Sequence, residues 1–441
     1  MPRTFAIISL GCAKNTVDSR SMAELLQRDG YSEVQSPVAA DTIIVNTCGF
    51  ILPAKQESLQ VLKKLAGQKR KSQRLVAAGC LTEREKEQVA KAVPGVDALI
   101  GTRRWMDIPQ VIKKLETQPN KFVCHLPAVP TVGQDDNGVL RAAVQGASAY
   151  LEIADGCNRK CAYCAIPLIK GPMVSRPMDR ILQEVRQLEQ MGIKELVLIA
   201  QDTTAYGRDL GMRDGLAVLL EEIVQAAPLI PWIRILYTFP GEVSDALIKS
   251  MAAHRQILPY LDMPLQHAHP DVLRRMRRPA DMQWVRGTIA KMRTAMPELV
   301  LRTTFIVGFP GETEDEFKTL LDFVQEMQFD RLGIFQYFHE EGTCAYALAD
   351  DVAQALKEER LARLAQLQAG ISLQRNQQFI GQDLEVLIEG VNQGVSMGRS
   401  YRDAPEIDGL VILEEELEVG ELIKVRITDA LVHDLFGERK T

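Results

Sequence analysis

Histidine is scarce, with six in 441 residues, so imidazole-built zinc sites and histidine acid–base chemistry are thinly supplied. Long apolar runs are absent, and none approaches the roughly 20 residues that span a bilayer. The opening stretch, Met1 to Cys12, imitates a lipoprotein signal, but its apolar part is too short and reads as a strand ending in Gly11-Cys12. The expectation is a cytoplasmic protein with no membrane partner. In such a chain disulfides are the weaker explanation for cysteine. The eight present, at 12, 48, 80, 124, 157, 161, 164 and 344, point to metal binding or catalysis. Apolar residues make up 46% of the chain, enough to bury more than one core, and the length suggests two to four domains.

Three segments follow one another. From 4 to 117, short apolar strands alternate with helical stretches, the pattern of a parallel sheet covered on both faces. Cys12, Cys48 and Cys80 each fall just past a predicted strand, beside Gly11, Gly49 and Gly79, and about one strand–helix–strand period apart. Strand C-termini of a parallel sheet share one edge, where ligands bind. Three small buried residues in tight turns are the alternative; three in register favour a shared metal site. Residues 118–145 carry turn and breaker signals, among them Pro127, Pro130 and Gly133, and read as a linker. From 146 to 375, six strands beginning at Tyr150–Ala154 alternate with helices without a dinucleotide fingerprint, which predicts a partial (β/α)6 barrel open on one side. Residues 376–441 are β-rich and predict a small five-stranded barrel.

Cys157, Cys161 and Cys164 follow the first strand of the middle segment in the spacing C-x3-C-x2-C. Three thiolates within eight residues can wrap one face of a [4Fe–4S] cluster, which usually takes four. One iron is then free for a non-protein ligand such as the amino and carboxylate groups of S-adenosylmethionine, whose reductive cleavage yields a 5′-deoxyadenosyl radical. Structural zinc needs a fourth ligand, and no motif surrounds Cys124, Cys344 or any histidine. A redox pair of Cys161 and Cys164 leaves Cys157 idle. Cys124 and Cys344 read as structural.

At these residues the chain resembles the radical S-adenosylmethionine enzymes, and among them the methylthiotransferases. Their loop carries an aromatic before its last cysteine, here Tyr163. Ser9-Leu-Gly-Cys-Ala-Lys-Asn15, Asn46-Thr-Cys-Gly-Phe50 and Ala78-Gly-Cys80 resemble the motifs of the family's N-terminal domain. Asp155-Gly-Cys-Asn158, Ser175-Arg-Pro177 and the run from Phe305 to Thr313 resemble its core, and the last segment resembles a TRAM domain. The resemblance implies a second [4Fe–4S] cluster on Cys12, Cys48 and Cys80, where sulfur is methylated before transfer. It implies an electron donor such as flavodoxin or ferredoxin, and a sulfur source. It suggests cofactor contacts at Tyr163, at Gln201 and Asp202 after the second barrel strand, and at Gly308 after the fifth, where an ordinary tight turn is the alternative. Arg302 and Arg176 suit a carboxylate, with structural pairing as the alternative. Lys170 stands where the family pattern has Arg and receives no role.

The family's two main branches act on adenosines of tRNA and on an aspartate of small-subunit ribosomal protein twelve. From Asn376 onward, 14 acids face 6 bases, a net −8, against +2 for the remainder. Such a tail repels RNA and suits a basic protein, although a merely solvated acidic face looks alike. The run Gly398-Arg-Ser-Tyr-Arg-Asp-Ala-Pro-Glu-Ile-Asp-Gly409 also resembles the tail motif of the ribosomal-protein branch. The expected reaction is methylthiolation of an aspartate β-carbon with no direct nucleic-acid substrate; the alternative is a tRNA methylthiotransferase.

Overall fold

The computed structural model describes residues 3–118, 121–127 and 138–440. Its first sheet holds β1 (Thr4–Ser9), β2 (Ser32–Glu33), β3 (Thr42–Thr47), β4 (Arg74–Gly79), β5 (Ala98–Gly101) and β6 (Val123–His125), in the order β2-β1-β3-β4-β5-β6. Every pairing is parallel. β3 is buried along its whole length because both faces are covered. Ile44 packs into one core with Leu26 and Val111, while Ile43 and Val45 join a second with Leu62 and Val89. An uninterrupted apolar run is what such a central strand requires.

β7 (Ala142–Gln145) and β8 (Ser148–Glu152) open the second sheet as an antiparallel pair. The short strands β9 (Ala154–Asp155) and β10 (Val174–Ser175) pair across the cysteine loop. β11 (Glu195–Ile199), β12 (Trp232–Ile235), β13 (Ile257–Asp262), β14 (Val300–Val307) and β15 (Arg331–Gln336) continue in parallel from β8, giving the order β15-β14-β13-β12-β11-β8-β7. The six expected βα strands are all present. The stretch 118–145 is not a plain linker: β6 closes the first sheet and β7 edges the second. Its breaker signals sit between these strands, and those at Pro130 and Gly133 lie outside the described residues.

Strand alternation gives the second sheet two different faces. Leu196, Leu198, Ile233 and Ile235 point outward into the helix-covered core. The concave face carries Glu195, Arg234, Asp262 and Arg302, and it is filled rather than left open. Val17 of helix Ala13–Arg28 and Ala404 of the tail pack against Tyr150, Val197 and Tyr260 there. The tail folds as β16 (Asp383–Asn392), β17 (Val395–Ser400), β18 (Val411–Leu413), β19 (Leu422–Ala430) and β20 (Leu435–Arg439), a closed barrel in the order β16-β17-β18-β20-β19. Closure leaves no exposed strand edge.

Two acids of the tail run are taken up by the core. Asp403 pairs with Arg331, and Asp408 accepts from the Tyr260 hydroxyl at 2.6 Å and lies 3.5 Å from Arg302. Arg399 meets Glu195 at 2.5 Å. Arg331 and Arg302 of the sheet take up Asp403 and Asp408, while Glu406, Glu414, Glu415, Glu416 and Glu418 are among the tail acids that stay exposed.

Candidate functional site

β1, β3 and β4 are neighbours whose C-terminal ends share one edge, and each hands its chain to a cysteine. Cys12 is the N-cap of helix Ala13–Arg28, Cys48 follows Thr47 directly, and Cys80 begins helix Cys80–Ala92. The three turns touch. A Cβ on Gly11 would stand 2.8 Å from the Cys48 Cβ, and one on Gly49 would stand 2.6 Å from the Leu81 Cα. Gly79 has φ +95°, which lets the strand turn into its helix without a Cβ striking Thr47. Asn15 braces the edge, donating to the Leu10 carbonyl at 2.8 Å and the Thr47 carbonyl at 3.1 Å. Burial raises the thiols of Cys48 and Cys80, with the neighbouring cysteines adding to the effect.

The second triad lies beyond β9. Gly156, at φ +78°, presses so close to Pro172 that a Cβ would strike that carbonyl, and Cys157 donates its N–H to the Gly171 carbonyl at 3.1 Å. Cys164 is pushed up to about 12 by burial and by the adjacent thiols. Tyr163 lies against Cys161 and Arg278, and burial holds its hydroxyl well above the ordinary value. Arg159 and Arg278 stack on Phe239 at 3.9 and 4.1 Å, and an Arg278 nitrogen stands 3.7 Å from the Cys161 sulfur. These two arginines and Phe239 carry no motif of their own and went unread in the sequence.

The remaining expected residues divide. Gln201 donates to Asp155 at 2.8 Å, and its buried Oε1 has no partner. Asp202 is committed: it pairs with Arg159 at 2.7 Å and accepts from Thr204 and the Ala205 N–H. It therefore positions Arg159 instead of facing open space. Gly308 is likewise part of a turn, its N–H given to Glu312 at 3.0 Å and the Lys357 stem lying over it. The Arg176 fork is held by Glu184, and Arg302 pairs with Asp262 at 2.8 Å. Cys124 and Cys344 are exposed and join neither triad.

Lys170 links the two centres. It is 3% exposed and pairs with Asp18 of helix Ala13–Arg28 at 3.1 Å and with Asp155, two residues before Cys157, at 3.0 Å. Burial opposes the charges of Lys170 and Asp18, but the pairing prevails: Lys170 is held well above its ordinary value, and Asp18 below its own by Lys170 and Arg141. Its charge also bears on Cys80. Cys80 also packs with Ala165 and Ile169, just past Cys164, so the two triads are neighbours across the domain boundary.

The donor sets suit clusters better than single ions. All eight cysteines are free. Among the described residues, His269, Asp271 and Glu316 have ligand atoms within 4.8 Å of one another; the cysteine triads are spread more widely. A tetrahedral zinc about 2.3 Å from each sulfur would draw the sulfurs to about 4 Å apart. Around the second triad, Gln201 Oε1, Arg159 Nη2, Gln266 Oε1 and Arg278 Nε are buried without partners. Buried polar atoms are rarely left so; others are spread through the core, and those of Arg159 and Arg278 beside the cysteine loop fit a polar ligand there.

A radical S-adenosylmethionine core between two accessory domains is the class this architecture defines. Residues 4–101 match the Uncharacterized protein family UPF0004, 151–324 the Radical SAM superfamily, and 380–439 the TRAM domain. The structure of the radical S-adenosylmethionine methyltransferase TsrM from Kitasatospora setae, with cobalamin and a [4Fe-4S] cluster bound, shares the fold at TM-score 0.57 and 13% identity, over 90% of this chain and 77% of that one. Proteins named ribosomal protein uS12 methylthiotransferase RimO are far more similar. That of Roseiflexus sp. (strain RS-1) is 46% identical over 98% of this chain and 96% of its own. That of Chloroflexus aurantiacus is 47% identical over 98% and 99%. The chain belongs to the RimO family of radical S-adenosylmethionine methylthiotransferases, enzymes that use S-adenosylmethionine and an iron–sulfur cluster.

Proposed function

We propose that this enzyme places a methylthio group on the β-carbon of an aspartate in ribosomal protein uS12, with one [4Fe–4S] cluster held by Cys157, Cys161 and Cys164 and a second by Cys12, Cys48 and Cys80. The observation that carries the reading is the pair of free cysteine triads on neighbouring elements, tied by Lys170 and by the packing of Cys80 against Ala165 and Ile169. Similarity to the uS12 methylthiotransferases over 98% of the chain supports the substrate. When bound, such clusters supply the electron that cleaves S-adenosylmethionine and a seat for the sulfur to be transferred.

The chain's own residues do the positioning. Each triad supplies three thiolates and leaves one coordination position to a non-protein ligand. Arg159, clamped by Asp202 and stacked on Phe239, brings positive charge beside the cysteine loop. Arg278 does the same at the Cys161 sulfur. The unpartnered Gln201 Oε1 and Gln266 Oε1 are acceptors suited to an amino group. Lys170 holds helix Ala13–Arg28 against the strand that delivers the loop, so the sulfur site and the radical site keep a fixed separation. The filled concave face keeps water from the floor of the site.

No described helix is long and apolar enough to cross a membrane, and a ribosomal substrate supports reading the reaction as cytoplasmic. An electron donor such as flavodoxin or ferredoxin and an external sulfur source complete the system. The test is an anaerobic incubation of the reconstituted enzyme with uS12 and, separately, with tRNA. Methylthiolated aspartate in uS12 is expected, together with about eight irons per chain, four per cluster. Modification of tRNA alone overturns the substrate. Replacing Cys12, Cys48 and Cys80 with Ala is expected to halve the iron, keep 5′-deoxyadenosine formation and abolish sulfur insertion.

A further inference from the structure

Lys14 sits in the first turn of helix Ala13–Arg28, two residues after Cys12. Its side chain leaves the first sheet and crosses to the second. There Nζ donates to the Ala200 carbonyl at 3.2 Å and lies 3.8 Å from the centroid of the Tyr237 ring. The residue is 8% exposed. Of the four buried lysines, Lys55, Lys170 and Lys357 each pair with a carboxylate. Lys14 pairs with none among the described residues. A desolvated ammonium carries three donors, and one carbonyl and one ring face leave it short of negative charge.

Its surroundings are those of a built site. Tyr237 has φ +60°, a left-handed conformation that costs energy in a residue with a bulky side chain. Asp262 accepts its N–H at 3.1 Å and the Thr203 N–H is given to its carbonyl at 3.1 Å. The structure thus expends strain to hold this ring beneath the ammonium. Burial and the nearby Cys12 both raise the Tyr237 hydroxyl, which sets the ring beside the first triad.

We propose that Lys14, seated on Tyr237, binds the side-chain carboxylate of the substrate aspartate. The inference rests on the reading of an aspartate in uS12 as the target. The reacting carbon is bonded directly to that carboxylate, so a cation gripping the carboxylate fixes the carbon between the radical site and the sulfur site. Lys14 is a specificity-determining residue: it supplies the missing counter-charge only to a substrate with an anionic side chain.

The experiment compares binding of uS12 with binding of uS12 whose target aspartate is replaced by asparagine, using the reconstituted enzyme under anaerobic conditions. Wild type is expected to prefer the aspartate form by about tenfold or more. Lys14→Met is expected to bind both forms alike, while Lys14→Arg keeps part of the preference. A wild type without preference overturns the proposal with no variant needed. So does a Lys14→Met enzyme that keeps the preference, or one in which only S-adenosylmethionine binding weakens, since Lys14 then serves the cofactor. If wild type modifies uS12 in the parallel assay, those outcomes count against Lys14 alone. If it does not, the aspartate reading fails and the proposal falls with it.

Discussion

At the scale of single residues, the enzyme depends on charges that are buried but matched. Lys170 looks like an unremarkable departure from the family pattern in sequence, yet it pairs with both Asp18 and Asp155 at the junction of two domains. Lys170→Met leaves Asp18 with Arg141 and the Thr102 hydroxyl, and Asp155 with Gln201 and the Gly156 N–H, and breaking such a buried pair costs about 3–5 kcal/mol. A lower urea midpoint with an unchanged slope is the expected result, and Lys170→Arg is expected to recover most of it because the charge returns. Gly156 is sensitive for a different reason. Its positive φ and the Pro172 carbonyl against it leave no room for a Cβ. Gly156→Ala is expected to shift the cysteine loop and halve the iron content while the far-ultraviolet circular dichroism stays the same. Full iron loading of that variant would show that the loop tolerates displacement.

At the scale of elements, the junction between β11, β12 and β17 ties the tail barrel to the core. Glu195 is fully buried between Arg234 and Arg399, at 2.7 and 2.5 Å. Burial alone would raise its pKa, but the two arginines outweigh it and hold the carboxyl at about 2, well below the ordinary glutamate value. A carboxyl depressed on folding stabilises the native state above its unfolded pKa and loses that contribution as pH falls from 4.5 toward 2, on the order of a few kcal/mol. Urea midpoints of the metal-free chain are expected to fall across that window, and less steeply in Glu195→Gln. Much of this level was legible in advance. The strands ending in Cys12, Cys48 and Cys80 announce themselves because a buried parallel strand must be continuously apolar and must stop at a turn. β6 and β7 were hidden because short strands beside Pro- and Gly-rich chain carry too little pattern. Lys14 was hidden because its partners, Ala200 and Tyr237, come from another domain. Asp403 and Asp408 of the tail were hidden for the same reason, since Arg331 and Arg302 face them from the core, while Glu406 between them is exposed.

At the scale of the whole molecule, three sequence domains share one interior. The concave face of the central sheet is closed by helix Ala13–Arg28 from one side and by the loop around Ala404 from another, so neither accessory domain is an appendage. Interfaces between independent domains are usually small and polar. This one buries Tyr150, Tyr260 and Leu387 together with the pairs Arg331–Asp403 and Arg399–Glu195. A protein ending at Gln377, where the long helix Gln354–Gln377 stops, would expose that apolar surface and strand Glu195 and Arg331 with fewer partners. If the tail only recruited substrate, such a truncation would melt like the full chain, form 5′-deoxyadenosine at the same rate and fail only toward uS12. The shared interior predicts otherwise: a lower melting temperature, a tendency to aggregate, and loss of deoxyadenosine formation alongside loss of methylthiolation. Adding the separately expressed tail barrel in trans is expected to restore part of the melting temperature in proportion to its concentration, because docking stabilises the folded core by mass action.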